Sequence, residues 1–150
     1  MPTNPKEYYP PMHTAEHILN RTMIRMFNTE RSFSNHIERK KSKCDYRFNR
    51  NLNDDEIINL QNEINIIIDS NLDVTERIIN AEDAEDLINF ERLPEDFGEQ
   101  IRLIQIGSYD TCPCSGVHVN NTSEIGNIRI ISTSYDDEVL RVRFKLQAKI

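Results

Sequence analysis

The 150-residue chain has no tryptophan, only four glycines and three cysteines, and no apolar run near the roughly 20 residues that span a bilayer. The last absence argues against a membrane-spanning helical protein. Three unevenly spaced cysteines are too few for a disulfide framework, so a reducing, cytoplasmic setting is expected. The opening MPTNPKEYYPPMHTAEH shows no basic segment followed by an apolar core, so no secretory signal is read there. Positive charge is also short: 18 Lys and Arg face 25 Asp and Glu, for a net charge of -7, which by itself argues against a nucleic-acid partner. No Gly/Ser linker or internal repeat divides the chain. One domain is expected, with residues 1–11 as a proline-rich irregular lead-in and 12–150 as the folded unit.

What is present is a mixture of helical and strand periodicities. Ile18, Leu19, Met23, Ile24, Met26 and Phe27 predict a helix from Met12 to about Phe27. Asn53 followed by Glu56 has capping-box spacing ahead of a helix to about Ser70, with Ile57, Leu60, Ile64, Ile67 and Ile68 inward. Strands are expected at Cys44–Phe48, Leu72–Ile79 and Ile101–Ile106, a short helix at Ala81–Asn89, and a loop at Leu93–Gly98. The end reads as a hairpin, Ile128–Thr133 and Val139–Leu146, turning near Asp136-Asp137. In its last strand Leu140, Val142, Phe144 and Leu146 alternate with Arg141, Arg143 and Lys145, giving one buried and one basic face. No regular βαβ rhythm appears. The expected class is α+β, a single domain with a mostly antiparallel sheet packed with helices.

Two pairs of residues carry the chemistry. His13 and His17 stand four apart on the first helix, which brings their Cβ atoms to within about 5–6 Å on one face. Cys114 and His118 are also four apart. Three imidazoles and a thiolate form a borderline-soft set that matches Zn²⁺ better than Mg²⁺ or Ca²⁺. The HExxH pattern fails because residue 14 is Thr, and the nucleobase-deaminase pattern fails because no cysteine stands three after Cys114. HxxEH is matched literally by His13–His17, which would make Glu16 the base of a small metallohydrolase. Cys44 reads as a small buried hydrophobe, and Cys112 as a neighbour of the ligands.

HTAEHIL near the start, followed about 100 residues later by CSGVHVNNTSEIG, resembles the editing domain shared by alanyl- and threonyl-tRNA synthetases, and in particular the short free-standing AlaX trans-editing proteins. The resemblance implies the fold of that common editing domain, with His13, His17, Cys114 and His118 as zinc-site positions. It implies hydrolysis of the ester bond of mischarged aminoacyl-tRNA, with serine or glycine on the tRNA for alanine as substrate. The usual Cys-Gly-Gly-Thr-His is altered here to Ser115, Gly116 and Val117 between Cys114 and His118, which bears on amino-acid specificity. Glu16 is then the candidate general base, against an alternative as a solvent-exposed carboxylate. Thr14 and Thr122 are candidate substrate contacts, or equally local backbone caps.

A tRNA partner needs positive charge on an acidic protein. Arg39, Lys40, Lys41, Lys43 and Arg47 cluster in 36–50, while acidic residues concentrate in 54–99. The basic segment can meet phosphates, with Tyr46 or Phe48 packing or stacking; a merely solvated loop is the other reading. Two rival functions remain at this level: a non-catalytic, zinc-stabilised RNA-binding module, and a metallohydrolase using Glu16 on another ester or amide.

Overall fold

The computed structural model describes residues 9–80 and 100–148. The expected Ala81–Asn89 helix and Leu93–Gly98 loop lie outside the described residues. Helix α1 is Pro10–Phe27, helix α2 is Asp54–Asp69, and a 3₁₀ turn covers Thr122–Glu124. The strands are β1 Ser34–His36, β2 Ser42–Arg47, β3 Val74–Asn80, β4 Gln100–Ile106, β5 Asp110–Pro113, β6 Asn127–Asp136 and β7 Val139–Gln147. They form two antiparallel sheets, ordered β1-β2-β7-β6 and β3-β4-β5. The α+β class is what the mixed periodicities indicate.

Helix α1 begins two residues earlier than its apolar spacing suggests, because Pro10 and Pro11 occupy the first turn, where the missing N–H groups have no helical partner to lose. It ends at Asn28, left-handed at φ 58°, whose N–H bonds the carbonyl of Ile24. Every residue from Met12 to Asn20 is buried, so the polar side chains of this stretch stand inside the protein. Helix α2 starts on the expected capping box: Asn53 accepts from the Glu56 N–H, and Glu56 accepts from the Asn53 N–H. Leu60, Ile64 and Ile68 are fully buried along one face, with Ile57 and Ile67 at its margins.

Strand β3 starts at Val74 rather than Leu72, since the Leu72 N–H is taken by the Thr122 hydroxyl and Asp73 makes only an isolated bridge to Asn121. Two strands escape the sequence reading. β1 and β5 have three and four residues, too short for an alternation to show. The β6–β7 hairpin turns through Asp137 and Glu138, at φ 49° and 65°, the paired left-handed conformation that matches strand twist. Leu140, Val142 and Phe144 are buried as the alternation requires. On the opposite face Arg141 is paired with Asp45 of β2, and Arg143 reaches the hydroxyls of Ser132 and Ser134.

Candidate metal centre

His13 and His17 stand on successive turns of α1, with ring centroids 5.0 Å apart. The chain leaving β5 runs past them through Cys114–His118. Arg102 of β4 holds that segment by donating to the carbonyls of Cys114 (2.9 Å) and Gly116 (2.8 Å), while the Cys114 N–H bonds the Arg102 carbonyl. The result is that one donor atom from each of His13, His17, Cys114 and His118 lies within 4.8 Å of the others. Two spacings separated by about 100 residues become one cluster that could bind a metal.

The surroundings aim each donor. His13 Nδ1 donates to the Val117 carbonyl at 3.2 Å, which leaves Nε2 bare of hydrogen and 3.3 Å from Cys114 Sγ. Thr14 Oγ1 accepts the Val119 N–H at 3.2 Å and lies 2.9 Å from His118 Nδ1, so His118 faces the cluster through Nε2. That Nε2 is buried and has no hydrogen-bond partner in the protein. Gly116 gives the room: a Cβ there would fall 2.2 Å from Cε1 of His13. A buried, unpartnered imidazole nitrogen beside a thiol fits a bound cation.

Electrostatics favour a thiolate at Cys114 and a neutral ring at His118. Burial raises the Cys114 thiol, but the neighbouring imidazoles of His118, His13 and His17 outweigh it and bring it down to about 2, so a thiolate is present at neutral pH. Burial pushes His118 down to about 4, against the pull of the Cys114 sulfur, which keeps it neutral. Burial alone would lower His17, yet the charge of Cys112 and the proximity of Asp110 and both sulfurs leave it well above its ordinary value, so a metal has to displace a proton from this ring.

Glu16 is buried, not solvent-exposed: its Oε1 accepts from Asn35 Nδ2 at 2.6 Å and its Oε2 lies 3.6 Å from His13 Nε2. Thr122 is buried, and its hydroxyl donates to the Ile68 carbonyl and accepts the Leu72 N–H, tying down the end of α2 as a backbone cap would. Among the basic residues, Arg39, Lys40 and Lys41 are exposed in the β1–β2 connection. Lys43 pairs with Asp45 at 3.2 Å. The guanidinium of Arg47 stacks over Phe33 at 4.0 Å and that of Arg39 over Tyr9 at 4.8 Å. Tyr46 is a core residue donating to Asn20, and Phe48 packs edge-on against Phe27. Cys44 is fully buried; Cys112 is buried and does not join the four donors.

Sequence reasoning missed Asp110, Arg21 and Arg31. Asp110 opens β5 with its side chain fully buried; its Oδ1 accepts from Arg21 Nε (2.9 Å) and from Arg31. Its Oδ2 lies 3.7 Å from His17 Nδ1. The one available signal was Arg21, four residues beyond His17 on the same face of α1.

The chain matches, over residues 101–142, the family described as the threonyl and alanyl tRNA synthetase second additional domain. That stretch contains Cys114 and His118 but not the α1 histidines. The chain is 26% identical over 121 residues to a chloroplastic/mitochondrial alanine–tRNA ligase of Oryza sativa subsp. indica, covering 80% of the chain and 12% of that protein. It is 27% identical over 120 residues to an alanine–tRNA ligase of Streptococcus agalactiae, covering 79% and 14%. It is 34% identical over 140 residues to alaX of Saccharomyces cerevisiae, whose name proposes an alanyl-tRNA editing role, covering 83% of the chain and 30% of that protein. The chain thus spans less than a third of the length of each of these relatives. Together the matches identify it as an editing-domain-like protein of the alanyl-tRNA synthetase type, close to AlaX.

Proposed function

We propose that the chain hydrolyses the ester bond of mischarged aminoacyl-tRNA in trans in the cytoplasm, with serine or glycine on the tRNA for alanine as substrate and zinc as cofactor. The observation that carries the reading is the convergence of His13, His17, Cys114 and His118 in a chain similar to alanine–tRNA ligases and alaX. One thiolate and three imidazoles suit zinc. When bound, zinc supplies a Lewis acid for the ester carbonyl and a means of lowering the pKa of water.

The chain's own side chains do the rest. Glu16 is the proton acceptor, held by Asn35 with its second oxygen at the edge of the cluster. Thr14 fixes His118 and Val119 in place. Arg39, Lys40, Lys41 and Arg47, two of them stacked on aromatic rings, take the RNA backbone and its bases. A second reading follows from the donor count: four protein ligands can close a tetrahedral site, as in a structural zinc module that binds RNA without turnover.

Zinc content followed by deacylation of Ser-, Gly-, Ala- and Thr-tRNA, with and without chelator, separates the readings. Release of serine or glycine that stops on metal removal, and is lost with metal in His17→Ala and Cys114→Ala, supports the editing enzyme. Stoichiometric zinc with RNA binding and no turnover supports the module. Esterase or peptidase activity indifferent to tRNA supports the small metallohydrolase instead.

A further inference from the structure

We infer that Asp110 is a positioning residue that sets the tautomer and orientation of His17 through Nδ1; the inference rests on the reading of the four-donor cluster as a metal centre. His17 is a useful ligand only if the nitrogen facing the cluster carries a lone pair, so the hydrogen must sit on the other one. Asp110 Oδ2 faces that other nitrogen at 3.7 Å, and both atoms are buried with no hydrogen bond formed. A small rotation of the imidazole closes the gap, giving the carboxylate–histidine arrangement that makes a ligating nitrogen more basic.

The rest of the cluster keeps Asp110 facing one way. Arg21 and Arg31 both donate to Oδ1, so the carboxylate cannot turn Oδ1 to His17 without losing two charge-assisted bonds. Arg31 is itself braced by the Thr111 carbonyl. The same geometry makes asparagine a poor substitute despite its shape. If its carbonyl stays with the two guanidiniums, its NH₂ points at His17 Nδ1 and forces the hydrogen onto Nε2. If it flips, the NH₂ meets the N–H groups of both arginines. Either way the lone pair aimed at the cluster is lost or the ring is displaced.

The test is zinc affinity of the purified protein, read by competition with a chromophoric chelator, together with the d–d spectrum of the Co²⁺-loaded form. Asp110→Asn is expected to bind zinc about 10–100-fold more weakly than the unsubstituted chain, with a shifted Co²⁺ spectrum. Asp110→Glu, which keeps the acceptor, should recover part of the loss. Asp45→Asn is the stability control, since it removes an ion-paired carboxylate from Arg141 and Lys43 on the other sheet, and should keep the original zinc affinity. Unchanged affinity and spectrum in Asp110→Asn would overturn the inference, provided His17→Ala still abolishes binding. If His17→Ala and Cys114→Ala also bind normally, the metal-centre reading fails instead. Nitrogen-15 NMR of the unsubstituted zinc-loaded protein needs no variant to fold: hydrogen on Nδ1 of His17 is expected, and hydrogen on Nε2 refutes the inference.

Discussion

Gly116→Ala is the smallest change that should dismantle the cluster without touching a donor. The added Cβ would lie 2.2 Å from Cε1 and 2.6 Å from Nδ1 of His13. Carbon–carbon contacts settle at about 3.5–4.0 Å, so the ring has to retreat by more than an ångström. Metal–ligand distances tolerate about 0.2 Å, so His13 leaves the donor set, and its bond to the Val117 carbonyl goes with it. Structural zinc sites with four ligands are worth about 10–16 kcal/mol, so one ligand amounts to about 3 kcal/mol, or about two orders of magnitude in affinity. Chelator competition on both proteins, with urea unfolding in EDTA to check the apo fold, measures this. Zinc affinity within a few-fold of the unsubstituted chain would show that the loop yields and that the cradle argument is wrong.

Three further outcomes are expected. Asn20→Ala should cost about 2–4 kcal/mol in urea unfolding, because Asn20 Oδ1 accepts both the Ser32 N–H and the Tyr46 hydroxyl in the buried interior, and both of these bonds would be lost. Asn53→Ala should cost about 1 kcal/mol by removing the α2 cap. The Glu56 half of the box survives that substitution and is the acid-sensitive part in both proteins: hydrogen bonds from Arg50 and the residue 53 N–H hold the Glu56 carboxyl at about 2, below its ordinary range, so its stabilisation is complete above the ordinary carboxylate pKa and is lost as pH falls through about 2. Lys40→Glu with Lys41→Glu should weaken tRNA binding and flatten its dependence on salt, as read by filter binding between low and moderate ionic strength; an unchanged slope would place the RNA elsewhere.

The sequence alone determined whatever depends on near neighbours. Helical periodicity put His13 beside His17, the Asn53–Glu56 spacing started α2, and strict alternation oriented β7, because each follows from the repeat of one element. The resemblance added that CSGVH belongs with HTAEH, a pairing across about 100 residues that no local rule supplies. Tertiary structure decided the rest. Burial of α1 turned Glu16 from a candidate surface acid into an interior carboxylate held by Asn35. Thr122, whose backbone-cap reading stood open beside the substrate one, has its hydroxyl engaged at the end of α2. Asp110 was one acid among 25 until the packing of β5 against α1 set it between two arginines and His17. Gly116 became necessary only because an imidazole from another element lies against it. Sequence spacing fixes which groups can share a face, but only the packing of separate elements decides what each buried polar atom meets, and at this site those meetings set the chemistry.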